Sequence, residues 1–160
     1  MNETNSNRTL DVTTRGESEL VMTRSLAAPR ALVFDAFTKP ELVQRWLLGP
    51  DGWTMPVCEI DLRPGGAFRY RWRSDDGARE FGTSGTFREV TAPIRIVHVE
   101  RMDGMPGEAV VTTNFSEDGG ETLVVMAIDY GTRKIRDMAH ESGMASGVAA
   151  SFDRLAGMLA

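Results

Sequence analysis

The sequence of 160 residues contains few of the residue types on which several common kinds of site depend. It has one cysteine, Cys58, so no disulfide can form within the chain, and it has two histidines, His98 and His140. Two distant histidines with no Cys or carboxylate at ligand spacing make a poor metal site, so neither a metal nor another cofactor is expected. No apolar run approaches the length of a membrane-spanning helix, and we expect none.

The chain also has no excess of positive charge. Its 18 Lys and Arg residues stand against 23 Asp and Glu residues, a net charge of −5. Nucleic acid is therefore not an expected partner, since non-specific binding to it needs a basic surface. The first 15 residues are polar and have no apolar core, unlike a secretory signal, and the single cysteine suits a reducing compartment. We expect a cytoplasmic protein.

What the sequence does contain is the pattern of one α+β domain. Residues 1–17 are polar and predict a flexible N-terminal tail, and residues 18–160 predict a single domain. A first strand and two short helices are followed, over residues 53–131, by six strands separated by Gly- and Pro-containing turns. Short connections make the resulting seven-stranded sheet antiparallel. From residue 132 the pattern predicts one long helix of roughly 26 residues, which would cover the apolar face of the sheet.

One hairpin can be predicted in more detail. Aromatic residues alternate with arginines along one strand, in the order Phe68-Arg69-Tyr70-Arg71-Trp72-Arg73. The aromatic side chains should face the long helix, and the arginines should form a solvated outer face rather than an anion or RNA site. A three-residue loop over 64–66 would place Ile60 beside Tyr70 and Asp61 opposite Arg69.

Few residues suggest chemistry by themselves. His98 lies in the middle of a strand, where it is either an ordinary strand residue or a polar anchor inside a pocket. Cys58 is interpreted as a buried structural thiol, because nothing in the sequence lowers its pKa. Gly143 and Gly147 interrupt the predicted long helix, either to let the helix approach the sheet closely or to leave space for a ligand.

Several motifs resemble a known family. They are Ala28-Pro29-Arg30-Ala31-Leu32-Val33-Phe34-Asp35-Ala36-Phe37-Thr38-Lys39-Pro40-Glu41-Leu42, the Arg45-Trp46 pair, Asp61-Leu62-Arg63-Pro64-Gly65-Gly66-Ala67-Phe68, Gly85-Thr86-Phe87-Arg88-Glu89-Val90 and His140-Glu141-Ser142-Gly143-Met144. Together they resemble the SRPBCC, or START-like, superfamily, and most closely its branch of homologues of the heat-shock-protein-90 ATPase activator. The resemblance covers residues 18–160. Such helices often carry Gly-Trp where this chain has Gly143-Met144.

The resemblance implies a helix-grip fold, in which a curved seven-stranded antiparallel sheet wraps a long C-terminal helix. It also implies a cavity between sheet and helix for a lipid, a polyketide or an aromatic compound. On this view the entrance lies near Trp46 and Trp53. The walls and floor are expected to come from Phe68, Tyr70, Trp72, Phe81, His98, Met126, Met144, Val148 and Phe152. Tyr70 and His98 are the polar groups that would orient the ligand.

Three function classes follow from this reading. The first is a protein that binds a hydrophobic small molecule without catalysis. The second is a cyclase- or hydrolase-type enzyme that uses the same cavity, with His98 or Tyr70 as general acid or base. The third is a protein-interaction module that regulates a chaperone, by analogy with the family name. A homodimer is left open as an assembly.

Overall fold

A computed structural model describes residues 9–160, which form eight strands and four helices. Residues 1–8, the first part of the predicted tail, lie outside the described residues. The strands are β1 (Asp11–Arg15), β2 (Glu19–Leu26), β3 (Trp53–Ile60), β4 (Ala67–Ser74), β5 (Glu80–Thr91), β6 (Arg95–Met102), β7 (Ala109–Asp118) and β8 (Glu121–Asp129). The helices are α1 (Arg30–Thr38), α2 (Pro40–Trp46), α3 (Arg133–Glu141) and α4 (Met144–Leu159).

All strands belong to one antiparallel sheet, in the order β1-β2-β8-β7-β6-β5-β4-β3. The predicted α+β class is confirmed. The meander from β3 to β8 needs only short connections, whereas α1 and α2 carry the chain from β2 to the far edge. None of the helices in residues 9–160 is long and apolar enough to cross a membrane.

The predicted count of seven strands is wrong, because β1 adds an eighth strand within the segment expected to be a tail. It pairs along its whole length with β2, from Asp11 opposite Thr23 to Arg15 opposite Glu19. Its Val-Thr-Thr core is β-branched, which suits a strand even in a segment that is polar on the whole. Val12 also packs against a buried cluster that includes Leu20.

The C-terminal segment is not the single helix of about 26 residues that the apolar pattern predicts. It breaks between α3 and α4 at Gly143, whose φ of 84° is left-handed. The preceding Ser142 donates its hydroxyl to the Ala139 carbonyl at 2.6 Å, satisfying a carbonyl of the last turn of α3. The break leaves α4, with 16 residues, as the long helix packed beside the sheet.

The β3–β4 hairpin has the predicted faces but not the predicted register. Ile60 lies opposite Phe68 and Glu59 opposite Arg69, two residues from the expected pairing. The loop is longer than three residues because Gly65 donates its N–H to the Phe87 carbonyl and Gly66 accepts from the Phe87 N–H. These bonds to β5 hold the loop out of the β3–β4 ladder. Arg69, Arg71 and Arg73 form ion pairs with carboxylates on the outer face, as predicted.

Candidate functional site

The inner face of the sheet carries three apolar clusters rather than one continuous core. The first lies under α1, α2 and the C-terminal half of α4, and includes Phe115 and Phe152. The second lies between β2, β7, β8 and α3, around Leu20 and Val111. The third lies at the β3–β4 edge beside α2, around Trp72. A small domain usually has one contiguous core, whereas here the buried clusters are joined only through partly buried side chains.

The inward side chains that join the clusters are only half-buried. Tyr70 on β4, Met126 on β8 and Val148 on α4 each contact two of the clusters, yet none of them is fully buried. Met126 is informative because β8 is a central strand and its cross-strand neighbour Met22 is 1% exposed. An inward residue of a central strand stays accessible only where the helix layer does not cover it. We call the incompletely covered inner face around Tyr70, Met126 and Val148 the inner cleft.

A polar pair lies in the inner cleft on β6. His98 Nε2 is 2.9 Å from Glu100 Oε1, and the two side chains are 19% and 24% exposed. Residues two apart on a strand share a face, and His98 also lies edge-on to the buried ring of Phe68 at 5.1 Å. The pair is therefore directed toward the interior and is still accessible, as a polar group that orients a ligand must be.

A third polar group of the same face has no partner. Thr83 on β5 is 5% exposed, and its Oγ1 makes no hydrogen bond to any of residues 9–160. Thr83 lies between Tyr70 on β4 and Met102 on β6, so it shares their face of the sheet. A buried hydroxyl without a partner destabilises a protein by about 1–3 kcal/mol. A bound molecule that hydrogen-bonds to it would remove that penalty.

Burial and the Glu100 carboxylate keep the two tyrosines of this region protonated. Burial, and then Glu100, raise the pKa of Tyr130 to about 12. The pKa of Tyr70 is also raised, first by burial and then by Cys58 and Glu100. Both phenols remain neutral hydroxyls at physiological pH, able to donate or accept a hydrogen bond. Tyr130 donates to Met144 Sδ at 3.4 Å, which ties the end of β8 to the start of α4.

One end of the inner cleft contains a cavity of about 70 Å³. It lies where α3 meets α4, and its lining includes Glu100, Met102, Ala109, Tyr130 and Met144. A ligand pocket is usually several hundred Å³, so this cavity alone holds little more than ordered water. A larger ligand must use the inner cleft as well.

The loop between α2 and β3 is fastened to α4 beside the inner cleft. The Gly49 N–H donates to Ser151 Oγ at 2.8 Å, and Arg154 donates to the Trp46 and Gly49 carbonyls. Gly147 faces this loop, and a Cβ there would be 3.6 Å from Pro50 Cδ. Gly147 thus packs against a loop rather than against the sheet.

The predicted site residues do not all line one space. Tyr70, His98, Met126, Met144 and Val148 border the inner cleft or its end cavity. Phe68 and Phe152 belong to the first apolar cluster, where both are buried. The remaining residues, Trp53, Trp72 and Phe81, form an aromatic cluster at the β3–β4 edge, in which the rings of Trp72 and Phe81 stack at 5.1 Å and Trp53 meets Phe81 edge-on.

Trp46 does not form an entrance. It is 2% exposed, its ring packs against Phe37 and Phe152, and its indole N–H donates to the Ala36 carbonyl at 2.8 Å. These contacts join α1, α2 and α4, so its role is structural. The indole N–H of Trp72 is likewise satisfied within the protein, by the Leu47 carbonyl.

Sequence reasoning missed Thr83, Glu100 and Tyr130. Glu100 could have been identified from the sequence, because it follows His98 by two residues and must share its face of the strand. Thr83 and Tyr130 could not, since their importance depends on which neighbours reach them. No three metal-ligating side chains lie close together within residues 9–160.

The fold and the inner cleft define the class of protein. An antiparallel sheet whose inner face is partly covered by a long C-terminal helix is the SRPBCC, or helix-grip, arrangement. The family described as "Activator of Hsp90 ATPase homolog 1-like protein" matches residues 27–160, and the chain belongs to that family. No curated protein matches the chain.

Solved structures agree with this assignment. A protein from Rhodobacter sphaeroides is 30% identical, with a TM-score of 0.89, over 94% of this chain and 97% of that one. A protein from Nitrosomonas europaea is 26% identical, with a TM-score of 0.79, over 92% and 97%. An AHSA1-like protein from Aeromonas hydrophila is 23% identical, with a TM-score of 0.70, over 86% and 93%, and this likeness shows the fold alone.

Proposed function

We propose that the protein binds a hydrophobic small molecule, such as a lipid, a polyketide or an aromatic compound, in the inner cleft. The observation that carries the proposal is the half-buried state of inward residues on central elements, above all Met126 and Val148. Inward apolar side chains that stay partly exposed offer a ligand apolar area to bury, at roughly 25 cal/mol per Å².

The proposal is tested with Nile red, a neutral dye that fluoresces when it leaves water. We expect the protein to bind it, and Met144→Trp to weaken binding about tenfold because the larger side chain occupies the cavity end of the inner cleft. The matched control is Leu32→Trp, since Leu32 is 51% exposed on α1, outside the inner cleft. Absence of binding, or equal binding by both variants, would contradict the proposal.

One observation also favours the enzymatic alternative. Glu100 Oε1 accepts a hydrogen bond from His98 Nε2 at 2.9 Å, and a carboxylate that orients a histidine is a common acid–base arrangement. A cyclase- or hydrolase-type activity would be abolished by His98→Asn while Nile red binding persists. For the chaperone alternative, the large exposed apolar side chains within residues 9–160 are Leu32 on α1, Ile94 between β5 and β6, and Met138 on α3.

A further inference from the structure

We infer that the inner cleft selects apolar molecules whose polar head donates a hydrogen bond, an alcohol or an amine, and discriminates against carboxylates. This inference rests on the proposed function and specifies the ligand. It follows from the placement of Glu100, from the charge balance around it and from the unpartnered hydroxyl of Thr83.

The side chains on the strands next to β6 leave the Glu100 carboxylate uncovered. Its neighbours on the adjoining strands are Gly85 on β5 and Ala109 on β7. Gly85 has no side chain and Ala109 has only a methyl group, so neither covers the carboxylate. His98 contacts Oε1 alone, which leaves Oε2 as an acceptor. An ionised carboxylate accepts hydrogen bonds and cannot donate them, so the head group that fits it is a donor.

The charges at this end of the inner cleft disfavour an anion. Among the described residues, the cavity lining contains two carboxylates, those of Glu100 and Glu108, and no Lys or Arg. Glu108 is engaged by Arg101 at 2.6 Å on the outer side, whereas the only basic group of residues 9–160 that contacts Glu100 is His98. A ligand carboxylate placed beside Glu100 would meet a like charge in a partly desolvated site, which is unfavourable. A protonated amine would meet an opposite charge there.

Thr83 provides the second recognition contact. It lies on the same inner face as Glu100, one strand away, and its Oγ1 is buried without a partner among residues 9–160. A hydroxyl can donate and accept at once. An alcohol that donates to Glu100 can therefore accept from Thr83, and an amine that donates to Glu100 can donate to Thr83 as well.

The test uses four compounds with the same ten-carbon chain: decylamine, 1-decanol, methyl decanoate and decanoate. Each is titrated, below its micelle-forming concentration, against the protein loaded with Nile red at pH 7. We expect decylamine and 1-decanol to displace the dye at concentrations about tenfold lower than decanoate does, with the ester, which has no donor, between them. Equal displacement by decanoate and decylamine would overturn the inference and leave the proposed function intact.

Two isosteric variants test whether Glu100 is the residue that sets the preference for a donor head group. Glu100→Gln removes the charge, and we expect the preference for decylamine over decanoate, each measured relative to that variant's own Nile red affinity, to fall about tenfold. The control, Glu59→Gln, removes a carboxylate that pairs with Arg69 on the outer face and should leave the preference unchanged. An unchanged preference in Glu100→Gln would overturn the inference.

Thr83→Val separates a recognition role from a structural one. It replaces an unpartnered hydroxyl by a methyl group of similar shape, so the unliganded protein should melt at the same temperature or higher, while 1-decanol should bind about threefold or more weakly. A lower melting temperature together with unchanged 1-decanol binding would assign Thr83 to the fold and remove it from the site. If neither Nile red nor any decyl compound binds, the proposed function fails, and this inference fails with it.

Discussion

Cys58 shows how the interior changes the chemistry of one residue. It lies opposite Tyr70 in the β3–β4 ladder and packs against the third apolar cluster. Burial, and then the carboxylates of Glu41 and Glu59, raise the pKa of its thiol to about 11. The thiolate is the nucleophile, and at pH 8 it makes up about one part in a thousand of such a thiol.

We therefore predict that iodoacetamide modifies folded Cys58 at pH 8 at least about tenfold more slowly than it modifies the same cysteine in the urea-unfolded chain. The rate in the folded protein should rise with each pH unit up to pH 11. The contribution of this raised pKa to stability is full below the ordinary thiol pKa of 9 and is lost as the pH rises toward 11. Rapid modification of the folded protein at pH 8 would contradict this reading of its environment.

At the scale of elements, the break between α3 and α4 decides where the helix layer ends. Gly143 has a left-handed φ of 84°, and no atom of residues 9–160 lies near a would-be Cβ. Gly147 lies inside α4, and a Cβ there would make an ordinary contact with Pro50 at 3.6 Å. The two glycines thus serve different purposes: the first ends a helix, and the second is tolerated within one.

The same substitution should have opposite effects at these two sites. We predict that Gly143→Ala lowers the free energy of unfolding by about 1–2 kcal/mol, because alanine is strained in the left-handed region. Gly147→Ala should leave it unchanged or raise it by up to about 1 kcal/mol, because alanine is the better helix former. Urea unfolding of both variants gives the comparison. Equal effects would mean that the helix is not broken at Gly143.

The elements also show what could be predicted from the sequence and why the rest could not. The alternation in β4 predicted correctly which side chains face inward, because a two-residue period is a local property of the chain. The β3–β4 register could not be predicted, because it depends on hydrogen bonds from Gly65 and Gly66 to the distant residue Phe87. The break between α3 and α4 could not be predicted for a similar reason. The spacing of apolar residues continues across Gly143 and does not reveal that the φ of this glycine is left-handed.

The same distinction between local patterns and distant contacts applies to the candidate site residues. His98 could be singled out because a histidine in an apolar strand is unusual, and its partner Glu100 follows from strand geometry. Trp46 was misplaced because a tryptophan next to a Gly-Pro loop looks the same whether it points to solvent or into the junction of three helices. Its direction is set by Phe37 and Phe152, which are close to it only after folding.

At the scale of the whole molecule, the function depends on whether the apolar clusters leave space between them for a ligand or pack directly against one another. Val148 on α4 borders the inner cleft and is half-buried, whereas Val33 on α1 is 0% exposed within the first apolar cluster. Both are helical valines, so one substitution compares the two environments at similar helix propensity. In a close-packed interior, added carbon atoms force strain of about 1–3 kcal/mol.

We predict that Val33→Phe lowers the melting temperature by at least about 3 °C, since roughly 1 kcal/mol shifts it by 2–4 °C at this chain length. Val148→Phe should change it by less than about 2 °C, because its ring enters space that is already present. The same variant should bind Nile red about tenfold more weakly, because the ring takes up apolar volume that the dye would use. If Val148→Phe destabilises the protein as much as Val33→Phe does, the clusters meet in solution. A protein with its interior filled in this way would have to act through its surface.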